Sequence, residues 1–165
     1  RPGRREGLWS EIESGRVAFV SSDHSSWPVD GKNTPSIYDA GAGVPGLETL
    51  LPAFTTGAMA RWEEPLTRVA RLLCEAPARF FGLYPRKGAI VVGADADLAV
   101  LEPGHFCWDS AMAHDELNWS PFDGMAFSVR VAATYLRGDK AYADGAVLAP
   151  AGCGRFVPRQ DHEGH

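Results

Sequence analysis

Cysteine is scarce in this sequence, and its spacing rules out the uses that cysteine most often signals. Cys74, Cys107 and Cys153 are odd in number and far apart, with no Cys-x-x-Cys pair, which excludes a disulfide framework, a zinc ribbon and a thioredoxin-type redox pair. Reduced thiols and a cytoplasmic setting are the expectation. Long apolar runs are also missing: Gly, Asp or Pro interrupts each one well before the ~20 residues that cross a bilayer, so no membrane association is expected. The opening stretch RPGRREGLWSEIESGR carries charge without the apolar centre of a secretory signal. A start at Arg1 rather than Met points to a chain that continues upstream. Positive charge is in deficit. Lys and Arg number 16 against 21 Asp and Glu, a formal net charge of -5, so no basic field gathers phosphates and nucleic acid is not an expected partner.

What is present is ordinary globular material: 165 residues, 45% apolar and 22% charged, enough for one domain with a real core. Leu8, Trp9 and Ile12 fall at helical spacing, and Gly15 stands where a helix would stop. Val17 to Val20 is a continuous apolar run, which predicts a strand covered on both faces, as in a parallel sheet wrapped by helices. A loop rich in Gly, Pro, Ser, Asp and Asn follows, of a length that inside compact domains tends to be functional. Leu47, Leu50, Leu51 and Phe54 then mark a helix whose other side carries Glu48 and Thr49. Pro65 opens a second helix, with Leu66, Val69, Ala70 and Leu73 on one face, and a third runs from Pro77 to near Gly82.

From Gly88 the period changes. AIVVGADADLAVLEP reads as two short strands joined by Gly93 to Asp97, and FSVRVAATYLRG alternates, with Phe127, Val129, Val131, Ala133 and Tyr135 on one side. The turn sequences RGDK and ADGA flank Ala141 to Ala143 and predict a small antiparallel unit. The fold class is therefore α/β, with a helical front, one buried strand and a β-rich back.

Asp23 is the sharpest chemical candidate. It stands just past the end of the apolar run, in SSDHSSW, where barrels and open α/β sheets place their reactive groups. A carboxylate capping the following turn is the competing role. His24 follows directly, so on a straight strand the two side chains point to opposite faces, and a hydrogen-bonded structural role is expected for it. His105 and the run His114, Asp115, Glu116 lack the spacing of a metal pair, since consecutive residues do not converge on one ion. Glu63 and Glu64 before Pro65 suit a helix N-terminus. The glycines of AGAGVPG allow close backbone approach to a ligand or simply form a tight turn.

Four stretches taken together resemble the cyclic amidohydrolases, which comprise hydantoinases, dihydropyrimidinases, allantoinases and dihydroorotases. They are SSDHSSW at 21–27, GAGVPGLETLLP at 41–52, APARFFGLYPRKGAIVVGADADLAVLEP at 76–103 and SPFDGMAFSVRVAATYLRG at 120–138. The resemblance implies a (β/α)8 TIM barrel with a binuclear metal site, usually zinc, flanked by a small β-sandwich. On that basis residues 1–84 would be the last strand and helices of the barrel, 85–149 part of the β-sandwich, and 150–165 a tail. Asp23 would bind one metal and act as general base towards the bridging water, whose pKa the cations lower. Backbone groups of Gly41, Ala42 and Gly43 would face the substrate, a cyclic amide or ureide, with Ala42 standing where many relatives carry Asn. The complete enzyme would be a cytoplasmic homo-oligomer, commonly a tetramer. The family's remaining ligands, a His-x-His pair, a carboxylated Lys and two more His, have no counterpart here, and a barrel needs about 200–250 residues. The chain is thus expected to be the C-terminal third of such an enzyme and inactive alone. The alternative is a non-catalytic, dihydropyrimidinase-like scaffold protein.

Overall fold

The structure, a computed structural model, describes residues 2–159; the last part of the expected tail, 160–165, lies outside the described residues. Helix α1 (Pro2–Glu13) ends as predicted, with Gly15 in the left-handed region at φ 75°. Its Trp9 is the centre of the helical front. The Trp9 ring stacks on Phe54 of α2 (Leu50–Met59) at 5.2 Å and meets Trp62 edge-on at 5.4 Å, geometries that the ring quadrupoles favour. A Cβ on Gly57 would stand 2.4 Å from the Trp9 ring, so this helix tolerates glycine in its interior because the indole needs the space. Ala58, Val69 and Leu72 complete the buried cluster, with Ile12, Val20, Leu51 and Leu73 packed against it.

Helix α3 (Pro65–Ala70) continues through a π turn (Arg71–Glu75) into α4 (Ala76–Phe80). Pro77 explains the wide turn. It has no N–H, and in α register its ring would press on the carbonyl of Leu73. In π register the Ala76 N–H reaches back to the Arg71 carbonyl, and the Leu72 carbonyl is left without a helical donor because its partner would be Pro77. That carbonyl instead accepts the Val20 N–H at 3.1 Å. One imino acid therefore creates the anchor for the segment leading to Asp23.

Three expectations are corrected here. Val17 to Val20 forms no strand, since a strand needs a neighbour and the Val20 N–H is given to a helix instead. Ile90 to Val92 is not a strand either: the three residues are 89%, 54% and 107% exposed, and the chain turns as the Ala94 N–H bonds to the Val91 carbonyl. Leu66 and Leu47 are exposed at 56% and 67%, whereas Thr49, assigned to the polar side, is 2% exposed with its hydroxyl on the Gly46 carbonyl at 3.3 Å. Spacing does not reveal which stripe of a short helix meets a neighbour.

The back of the chain is a four-stranded antiparallel sheet in the order β1 (Leu98–Cys107), β2 (Ala126–Leu136), β3 (Asp139–Ala143), β4 (Ala146–Val147). Its hairpin turns are those the sequence predicts: Arg137-Gly138 and Asp144-Gly145 all have positive φ, between 50° and 88°, matching the twist of the flanking strands. Pro103 sits at a register shift in β1, where no ladder donor is required. Lys87 pairs with Asp95 and Asp97, and Asp97 also accepts the Arg137 N–H at 2.8 Å, so the ADAD segment fastens the first hairpin. Asp123 accepts from the Ser110 hydroxyl and N–H, both at 2.8 Å, and from the Ser120 N–H; the Ser110 hydroxyl contributes most to holding this carboxyl below its usual range.

Helix α2 packs on β2, where Phe127 and Val129 are buried and the Ser128 N–H donates to Thr56 Oγ1 at 2.9 Å. A second tie is His114, an exposed loop residue that joins three segments. Glu48 accepts its N–H at 2.7 Å and faces Nδ1 at 3.0 Å, while Nε2 faces the Gly145 carbonyl at 3.2 Å. Both ring nitrogens meet acceptors, so the doubly protonated ring satisfies them. The Glu48 carboxylate first, then the Gly145 carbonyl, raise its pKa above the ordinary 6.5. The stabilisation is fully present below the unfolded-state value and is lost as pH rises through the raised folded-state value. His114→Gln is expected to remove this dependence, shrinking the difference in urea midpoint between about pH 5.5 and pH 8.5; an unchanged difference in the variant would refute the assignment.

Candidate active site

Asp23 lies just past the Val17 to Val20 segment, and it makes the bend itself. Its φ is 47°, a left-handed conformation that Asp and Asn adopt more readily than other non-glycine residues. Asp23 is exposed, and its carboxylate has no hydrogen bond or ion pair among the described residues. The turn-capping role is therefore not the one it plays.

His24 does the structural work. Its Nδ1 accepts the Gly46 N–H at 3.2 Å and the Leu47 N–H at 3.4 Å, and Nε2 lies 3.1 Å from the Ser26 hydroxyl. Two amide donors on Nδ1 leave the ring proton on Nε2, which donates to Ser26. His24 also forms a parallel bridge with Val44, and the Ser25 N–H donates to the Val44 carbonyl at 3.1 Å. These bonds bring Gly43 close to the Asp23 backbone. A Cβ on Gly43 would stand 3.8 Å from the Asp23 carbonyl and 2.4 Å from Ser25 Cβ, with φ at +87°.

Two residues that sequence reasoning missed shape this turn. The Lys32 ammonium donates to the carbonyls of both Gly41 and Gly43, and the Gly41 N–H donates to the Gly31 carbonyl at 3.0 Å. Gly41 also lies against the Trp27 ring, and Trp27's own carbonyl accepts from Trp119 Nε1 at 2.9 Å. Lys32 lies in none of the matching stretches, and Trp27 closes SSDHSSW without a role being assigned to it, because their partners are backbone atoms and a residue of the distant β-rich half. The backbone groups at Gly41 and the Gly43 carbonyl are thus occupied, while the Ala42 amide carries no bond to another described residue.

No group of three or more His, Cys, Asp or Glu among the described residues could hold a metal ion. A single carboxylate is one donor, and a hydrolytic metal site needs several. Asp23 fits as one ligand, and these residues alone do not hold a metal pair. A cavity of about 740 Å³ opens between the Leu47–Pro52 segment and the sheet, with His24 at its edge; Asp23 does not line it.

Residues 8–141 match the amidohydrolase family. The chain belongs to that family. It is 37% identical over 159 residues to the L-hydantoinase of Paenarthrobacter aurescens, covering 94% of this chain and 35% of the relative. It is 38% identical over 164 residues to the allantoinase of Rubrobacter xylanophilus, covering 96% and 35%. Its fold matches a solved L-hydantoinase (dihydropyrimidinase) from Arthrobacter aurescens with a TM-score of 0.85 at 37% identity, over 92% of this chain and 34% of that one. The amidohydrolase chain thus spans about a third of the length of the relatives it matches, and the expected relationship to the barrel hydrolases holds. No helix among the described residues is long and apolar enough to cross a membrane.

Gly43 is the point at which the turn is most tightly constrained. Gly43→Ala is expected to destabilise by about 2 kcal/mol, through φ strain and the Ser25 contact. Gly154→Ala, where a Cβ meets nothing within 4 Å, is the control. Urea unfolding of both variants checks this, and equal midpoints would refute the constraint.

Proposed function

We propose that these residues form one wall of the active site of a metal-dependent hydrolase that opens a cyclic amide ring of the hydantoin, allantoin or dihydropyrimidine type. The observation that carries the proposal is the free Asp23 carboxylate, presented at a left-handed bend beside the Gly41–Gly43 turn in a chain of the amidohydrolase family. Members of this family are generally metal-dependent, and the remaining ligands would come from outside these residues.

A bound divalent cation, zinc in this proposal, supplies Lewis acidity to the scissile carbonyl. Asp23 contributes one ligand oxygen, takes the proton of the attacking water on its carboxylate, and returns it to the leaving ring nitrogen. Its bond-free surroundings suit both tasks. The Ala42 amide faces the ring, and because it is a backbone group, Ala42 serves where a side chain is not required. The parallel bridge at His24 keeps this contact beside the base.

Asp23→Asn is the clean test, since Asn keeps the left-handed backbone while removing the proton acceptor. In the metal-loaded enzyme turnover of hydantoin and allantoin is expected to fall by roughly 10²–10⁴-fold, together with a loss of bound metal. Wild-type turnover in the variant would overturn the assignment. The 165 residues alone are expected to hydrolyse neither substrate with zinc added.

A further inference from the structure

The turn at Gly41–Gly43 has the two properties that make a backbone contact both possible and unreliable. Glycine allows the chain to pass close to its surroundings, and it also lets a peptide plane flip at little energetic cost. Something outside the turn must select one orientation. Lys32 is placed to do so. Its ammonium reaches the carbonyls of Gly41 and Gly43 together, its side chain is half-buried, and it forms no ion pair among the described residues. A half-buried cation with no carboxylate partner among the described residues satisfies itself on these two dipoles.

The consequence for Ala42 follows from peptide planarity. The one cis peptide among the described residues is Tyr84-Pro85, so the Gly41-Ala42 peptide is trans, and its C=O and N–H point in opposite directions. Turning the Gly41 carbonyl towards Lys32 turns the Ala42 N–H away from it, out of the turn's own hydrogen bonds. The same restraint on the Gly43 carbonyl fixes the other end of the turn, while the Gly31 carbonyl holds the Gly41 N–H.

We propose that Lys32 is a positioning residue: through its clasp on the Gly41 and Gly43 carbonyls it fixes the Ala42 amide in the orientation that receives the cyclic amide. This rests on the reading of Gly41–Gly43 as the substrate-facing turn. Lys32 bonds to the Gly41 and Gly43 carbonyls and not to Asp23, so its removal acts on binding and leaves the proton transfer intact.

The test uses Lys32→Met and Lys32→Arg in the metal-loaded enzyme, with Lys32→Gln as a second variant should the methionine form fail to fold. KM for the cyclic amide is expected to rise roughly tenfold in Lys32→Met, with kcat within about threefold of wild type and most of the KM restored by Lys32→Arg. Amide hydrogen exchange in the peptide covering Gly41 to Val44 is expected to speed up in Lys32→Met and Lys32→Gln. An unchanged KM, a fall in kcat at constant KM, or unchanged exchange would each overturn the proposal. If the wild-type enzyme opens no cyclic amide, the proposed function fails, and the exchange measurement decides by itself whether Lys32 holds the turn.

Discussion

The imidazole of His24 closes the loop on which the whole site depends. Residues separated by 22 positions are joined when Nδ1 accepts the Gly46 N–H, and the bridge to Val44 extends that closure by backbone bonding. Closing a flexible loop of this length carries an entropic cost that rises only slowly with length, so a few well-placed hydrogen bonds suffice. The histidine works because its neutral ring offers an acceptor and a donor on opposite sides. With Ser26 on the donor and two amides on the acceptor, the chain on either side of Asp23 is committed to one path.

The loop needs fixed ground at both ends, and the two halves of the chain provide it differently. At the near end, the aromatic cluster of Trp9, Phe54 and Trp62 fixes α1 against α2, and the Leu72 carbonyl released by Pro77 anchors Val20. At the far end, α2 is held to the sheet through Thr56 and Ser128, and through the pair His114 and Glu48. The Trp119 indole, in the connection between β1 and β2, reaches the Trp27 carbonyl, so that connection supports the loop directly. Asp23 is left exposed on this scaffold, with no hydrogen bond or ion pair on its carboxylate among the described residues.

Local chemistry was legible in the chain. Arg137-Gly138 and Asp144-Gly145 declare their turns because a type I′ geometry demands residues that accept positive φ, and Gly15 ends α1 for a related reason. Asp23 could be singled out because it follows an apolar run, and Gly41 to Gly43 because glycine clusters permit close approach. Elsewhere the pattern misled. Val17 to Val20 and Ile90 to Val92 carry the composition of buried strands, yet neither pairs among the described residues, since pairing is a property of two segments and composition describes one. Leu66 and Thr49 exchanged their expected environments because a helix of few turns offers several stripes and its neighbours choose among them.

By itself the sequence determined the turn positions, the helix started by Pro65 and the α/β class, and it singled out the Asp23 carboxylate as a candidate. Those features rest on φ preferences, missing donors and side-chain chemistry that belong to single residues. The tertiary structure decided that Asp23 bends the chain, which amides the His24 ring accepts from, and that Lys32 clasps two carbonyls in the turn. It also turned the backbone constraint of Pro77 into an anchor for Val20. Each of these requires a partner distant along the chain, and hydrogen bonds to backbone atoms leave no trace in residue identity.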